Sequence, residues 1–108
     1  MTKLINKKEI NYWLVKTDPQ TYSWKMLLME KYTDWDGVRN FQARNNLKLM
    51  KKGDLALFYH SQLEKAITGI AKISKEYFPD PTAIEGDWVA VGIKPYKTLK
   101  QKVTLDEI

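Results

Sequence analysis

Trp35-Asp36-Gly37-Val38-Arg39-Asn40-Phe41-Gln42-Ala43-Arg44-Asn45-Asn46 is the stretch from which the rest of the chain can be placed. It holds the only two arginines of a 108-residue chain that carries 16 lysines, and three of its five asparagines. Arginine, asparagine and glutamine present planar hydrogen-bonding edges, whereas lysine is a flexible point charge. Two arginines in one window therefore imply that the planar fork is needed there. The plainer alternative is a helix start with a packed aromatic. Asp36-Gly37 reads as a turn. Asn40 reads as the N-cap of a helix running to about Met50, with Ala43, Leu47 and Met50 on its core face. The opening turn of that helix then carries Arg39, Asn40 and Phe41.

Upstream, residues 1–10 are polar and basic and read as a solvated leader. Asn11-Tyr12-Trp13-Leu14-Val15-Lys16-Thr17 is aromatic and β-branched, hence a strand, stopped by Asp18-Pro19. Ser23 is placed to cap a short helix over Trp24–Glu30, with Trp24, Leu27 and Leu28 on its buried stripe. Downstream, Lys52-Gly53-Asp54 turns the chain into a second strand, Leu55 to Ser61. Ala66 to Lys75 reads as a third, in which Gly69 marks a bulge or a close approach. Phe78-Pro79-Asp80-Pro81-Thr82 reads as a loop, Asp87 to Lys97 as a fourth strand, and Thr104-Leu105-Asp106-Glu107 as the capping box of a further helix. Four strands with short helices between the first two predict an α+β fold, a small, curved, mainly antiparallel sheet or barrel.

Composition narrows the function. The chain has no cysteine and one histidine, which excludes disulfides, thiol catalysis and cysteine-bound metal, and no cofactor or metal is expected. No apolar run approaches the roughly 18 residues of a membrane span, so a cytoplasmic protein without a membrane partner is expected. The formal charge of +5 admits an anionic partner such as nucleic acid without requiring one.

Polar groups collect at the ends of apolar elements in three places: Lys16 with Ser23, Arg39-Asn40, and Tyr59-His60-Ser61. Trp24, Trp35 and Tyr59 offer flat faces, and a nucleobase is a flat ligand with an edge to read. Each tryptophan taken singly fits the core better than a binding cage, since large aromatics dominate small cores. His60 beside Ser61 suggests a catalytic pair, but neighbours on a strand face opposite ways and no nucleophile-elbow motif is present.

The order of motifs resembles the EVE domain. Tyr12-Trp13-Leu14, Tyr22-Ser23-Trp24, Trp35-Asp36-Gly37-Val38-Arg39-Asn40, Gln42-Ala43-Arg44-Asn45, Lys52-Gly53-Asp54 and Phe58-Tyr59-His60-Ser61 carry the likeness. Gly69-Ile70-Ala71, Tyr77-Phe78-Pro79-Asp80-Pro81-Thr82 and Trp88-Val89-Ala90-Val91 extend it, so that it covers residues 11–108. The resemblance implies a PUA-like fold, a curved β-barrel with flanking helices. It also implies a pocket for a modified base, such as 5-methylcytosine or 5-hydroxymethylcytosine in DNA or a modified base in RNA. The chain departs from the family pattern at Phe41, where tyrosine is usual, and at Asp18, where glutamate is usual. The family pattern also continues past residues 104–107 into a basic, β-rich segment, so the chain reads as short of that segment, with a second copy as one means of covering an exposed sheet edge.

Carried over by position, the resemblance implies a pocket of Trp13 or Lys16, Ser23, Trp24, Trp35, Arg39, Asn40, Tyr59, His60 and Ser61. Trp35 and Trp24 would stack on the base. Asn40, Ser23 and Ser61 would read its edge, and Arg39 with Lys16 would hold phosphate or a base carbonyl. The function expected is thus non-catalytic binding of nucleic acid through one modified base. The alternatives are a nucleotide- or RNA-processing enzyme using His60, and a module for a small anion or metabolite.

Overall fold

The computed structural model describes residues 10–62 and 65–104. It contains β1 (Tyr12–Thr17), α1 (Trp24–Glu30), β2 (Thr33–Trp35), α2 (Phe41–Leu49), β3 (Leu55–His60), β4 (Ala66–Pro79) and β5 (Val89–Thr104). The strands form one sheet in the order β1-β3-β4-β5-β2. β1 runs parallel to β3, and the other three pairings are antiparallel. The fold is α+β and mainly antiparallel, as expected. Among the described residues no helix is long and apolar enough to cross a membrane.

Both helices start where their caps were expected. Ser23 accepts a hydrogen bond from the Met26 N–H at 3.2 Å, and Asn40 Oδ1 accepts one from the Ala43 N–H at 2.9 Å. Leu47 and Met50 are buried and Ala43 is half-buried, which confirms the core face of α2. On α1 only Trp24 and Leu27 are buried; Leu28 is 41% exposed, because seven residues give a stripe too narrow for three large side chains.

The structure departs from expectation in three places. It has five strands where four were expected, because β2, three residues long, is too short to show an alternating pattern. β4 continues to Pro79, where a strand end needs no N–H from the proline. β5 runs on to Thr104, so Thr104 ends a strand; the rest of the expected capping box, like residues 1–9 of the expected leader, lies outside the described residues.

Gly69 meets both expectations placed on it. The β3–β4 and β4–β5 registers shift beside it, and a Cβ built on it would lie 2.3 Å from the Trp24 ring. The indole lies flat over a strand that has no side chain there. It also packs edge-on to Phe58 at 5.2 Å and donates from Nε1 to Thr98 Oγ1 at 3.0 Å. Trp24 thus joins α1 to β3, β4 and β5. Further register shifts along β4 and β5, one of them where Ala71 faces Pro95, interrupt the ladder and bend the sheet around this core.

Replacing Gly69 by alanine should cost about 1–3 kcal/mol, the range for overpacking a close-packed site. A urea midpoint unchanged in Gly69→Ala would show that the Trp24 ring does not lie against this strand.

Candidate functional site

β1 and β2 stand at the two ends of the strand order, and among the described residues no ladder joins them. The space between them is a cleft with two hollows that share Lys16, Trp35 and Val38. One hollow, of about 570 Å³, is rich in acceptors. Asp18, Thr21 and Tyr22 line one side, and Thr33, Asp34 and Asp36 the other. The second, of about 490 Å³, is bounded by Trp13 and Val15 of β1 and by Leu47 and Met50 below. The amides of Asn40, Gln42 and Asn46 line it too.

Trp35 divides the two hollows. Its ring is half-buried and held edge-to-face by Tyr22 at 6.0 Å and by Phe58 at 5.5 Å. The Tyr22 hydroxyl in turn donates to Glu30 at 2.6 Å. Burial, with that carboxylate as acceptor, pushes the Tyr22 phenol up to about 12, so Tyr22 is a neutral donor at any ordinary pH.

The wall that leads from Trp35 into α2 is fixed by a buried carboxylate. Asp80, with a side chain fully removed from solvent, accepts from the Gly37 N–H at 2.8 Å and from the Thr82 N–H and hydroxyl at 2.7 and 2.6 Å. Arg39 reaches the same carboxylate at 3.0 Å, the Thr82 hydroxyl at 3.2 Å and the Val38 carbonyl at 2.9 Å. The planar fork expected in this window is therefore spent within the protein, tying the turn to the loop after β4. Gly37 adopts φ +77, a conformation glycine enters without strain. Beyond the turn, Phe41 stacks on Trp88 at 5.2 Å, and Arg44 lies over both rings at 5.1 and 5.6 Å.

Comparison with known proteins places this architecture. The EVE domain description matches residues 11–108. The chain belongs to the EVE family. It is 34% identical to thymocyte nuclear protein 1 of Rattus norvegicus over 98% of its own length and 58% of that protein's. The chain thus spans less than two thirds of this curated relative. A solved Rhodopseudomonas palustris protein is 43% identical with a TM-score of 0.84, covering 91% of this chain and 69% of that one. The human THYN1 protein, solved in complex with DNA containing 5-methylcytosine, is 34% identical with a TM-score of 0.81 over 89% of this chain and 71% of its own.

Of the residues that the EVE resemblance singled out, Trp13, Lys16, Trp35 and Asn40 line the cleft. The others stand elsewhere. Trp24, Tyr59 and His60 are 5%, 8% and 6% exposed, and His60 Nε2 accepts the Trp24 backbone N–H at 3.0 Å. Ser23 caps α1, Ser61 donates to the Thr17 carbonyl at 3.1 Å, and Arg39 serves Asp80. The Trp13 indole lines the second hollow, but its N–H is held by Asp54 at 2.9 Å. Phe41, where the family usually has tyrosine, is 67% exposed and lines neither hollow. Sequence reasoning missed Tyr22, Val38, Gln42 and Asn46 in the cleft and Asp80 behind it. For Asp80 a signal was present, since an aspartate two residues before Thr82 is a ready Asx turn.

Burial pushes the Asp80 carboxyl up, but the Thr82, Gly37 and Arg39 hydrogen bonds outweigh it and hold the group well below the ordinary 3.8. Asp54 is lowered in the same way by Trp13 and the Lys51 and Asn11 N–H groups, which overcome its burial. A carboxyl depressed in the folded state stabilises it fully above 3.8 and loses that contribution as pH falls below this value. Asp80→Asn should lower stability at neutral pH by about 2 kcal/mol, the scale of charge-assisted hydrogen bonds. Its urea midpoint should also fall less steeply than the parent's on acidification below about pH 4. Parallel slopes for parent and variant would show that Asp80 does not carry the acid dependence.

Proposed function

We propose that this chain is a non-catalytic module that binds nucleic acid by taking one modified base into the cleft between β1 and β2. The observation that carries the reading is Trp35, a flat, half-buried ring packed at steep angles against Tyr22 and Phe58 between two open hollows. A ring fixed by two aromatic neighbours beside open hollows can meet a planar ligand without having to be ordered on binding. Planar amides and the Lys16 charge stand beside it, and the formal charge of +5 favours a polyanion. The human relative's complex with DNA containing 5-methylcytosine supports the same class of ligand.

The energies are consistent with such a role. Stacking on an aromatic contributes about 1–3 kcal/mol, while drawing a base from a duplex costs a few. Stacking alone barely offsets flipping, so edge hydrogen bonds must supply the rest, which is where discrimination arises. The buried state of His60 and its acceptor bond to α1 leave no acid or base aimed from it into the cleft, which favours binding over catalysis.

The test is titration with matched single- and double-stranded oligonucleotides, DNA and RNA, that differ at one base, at two salt concentrations. The parent should prefer a modified base. Trp35→Ala, checked for folding by circular dichroism, should bind the preferred oligonucleotide about tenfold or more weakly with the same salt slope, because stacking is lost and phosphate contacts remain. Equal affinity of the parent for every base would reduce the protein to a basic surface and end the proposal.

A further inference from the structure

The turn that leads into β3 carries two exposed lysines, Lys51 and Lys52, on a firmly held backbone. Gly53 adopts φ +98, which glycine enters without strain, and its N–H donates to the Ile73 carbonyl at 2.8 Å. The Ile73 N–H returns a bond to the Asp54 carbonyl at 2.8 Å, so the turn is pinned to β4. On β4, Lys72 lies directly across from Leu55 in the β3–β4 register, and hence on the same face of the sheet. These residues, with Ile10 and Tyr96, enclose a third hollow of about 420 Å³. It shares no lining residue with the two hollows of the cleft.

This hollow combines apolar surface with uncommitted positive charge. Ile10, Leu55 and Tyr96 supply the apolar part. The Lys72 ammonium lies 5.1 Å from the centroid of the Tyr96 ring, a cation–π contact that holds the charge beside it. Among the described residues, none of Lys51, Lys52 and Lys72 forms an ion pair. The carboxylate in the lining, Asp54, is buried. It already accepts from the Trp13 indole at 2.9 Å, the Lys51 N–H at 3.0 Å and the Asn11 N–H at 3.2 Å. Glu76, which accepts the Lys52 backbone N–H at 3.1 Å, is not part of the lining.

We infer that the third hollow binds an organic phosphate, a phosphomonoester with a flat or apolar body. Such an ester carries about 1.5 to 2 negative charges at pH 7, which three unpaired lysines match better than they match a single carboxylate. Lysine meets phosphate as a point charge, with no fork to align. The body of the ester covers Ile10, Leu55 and Tyr96, surface that inorganic phosphate leaves wet. The volume falls within the roughly 300–1,000 Å³ of small-molecule sites. A free nucleoside monophosphate and the 5′ end of a nucleic acid strand present this same chemistry.

NMR titration of the isotope-labelled protein reads affinity and location together. Adenosine 5′-monophosphate should shift the amide signals of Lys52, Gly53, Lys72 and Tyr96. It should bind about fivefold or more tightly than either inorganic phosphate or adenosine, since each lacks one half of the match. Lys52→Gln/Lys72→Gln removes two unpaired side-chain charges, so the fold should survive, as signals away from the hollow will check. That variant should bind the nucleotide about tenfold or more weakly and with a flatter dependence on salt. Two oligonucleotides, with and without a 5′-phosphate, tell the sources apart. A gain from the phosphate that vanishes in the double variant makes the strand end the ligand, and no gain makes it the free ester. Shifts confined to cleft residues such as Val38 and Asn46, unchanged affinity in the double variant, or no shift at millimolar nucleotide would each overturn the site. Inorganic phosphate binding as tightly as the nucleotide would overturn an organic ligand.

Discussion

The Asp80 carboxylate is the constraint on which the cleft depends. It is fully buried, and a buried charge is tolerated only when its lone pairs are met. Here they are met by Gly37, Thr82 and Arg39, which sit on two segments about forty residues apart in sequence. Each bond satisfies the charge and also fixes the backbone that bears it. Between them they set the path of the chain from Trp35 to the first turn of α2. The direction in which α2 points, and hence which of its residues line the cleft, follows from that path.

A second interaction works beside it from the core. The Trp24 ring lies on Gly69, and His60 accepts the backbone N–H of the same residue. α1 is thereby held against the sheet, and Tyr22, just before it, is brought against Trp35. The aromatic residues thus divide their work. Trp24 and Phe58 build the core, Trp88 and Phe41 brace the start of α2, and Trp35 alone stands between the two hollows of the cleft.

How much of this could be read from the sequence depends on the range of each signal. The caps at Ser23 and Asn40 were legible because a cap acts within three residues. The role of Gly69 was legible because a glycine alone in a β pattern needs a reason. β2 was not legible, since Thr33, Asp34 and Trp35 become a strand only by pairing with Val91, Gly92 and Ile93. Trp24 could not be told from Trp35 for the same reason. Its partner Thr98 lies 74 residues away, and nothing local separates an indole N–H that meets a core hydroxyl from one left for a ligand. The arginine concentration pointed to a need for planar forks, and the structure shows that Arg39 meets that need inside the protein.

The sheet order has a consequence for how such a site can diversify. Hydrogen-bonded neighbours are locked at about 4.7–4.9 Å by the backbone, whatever their side chains. β1 and β2 share no such ladder among the described residues, so the gap between them is not dictated by main-chain geometry. Its bore is set by Trp35, Val38 and the α2 side chains that reach into it. Calibre and lining can then change by single substitutions while the sheet keeps its register, so one frame can serve many differently sized occupants across a lineage.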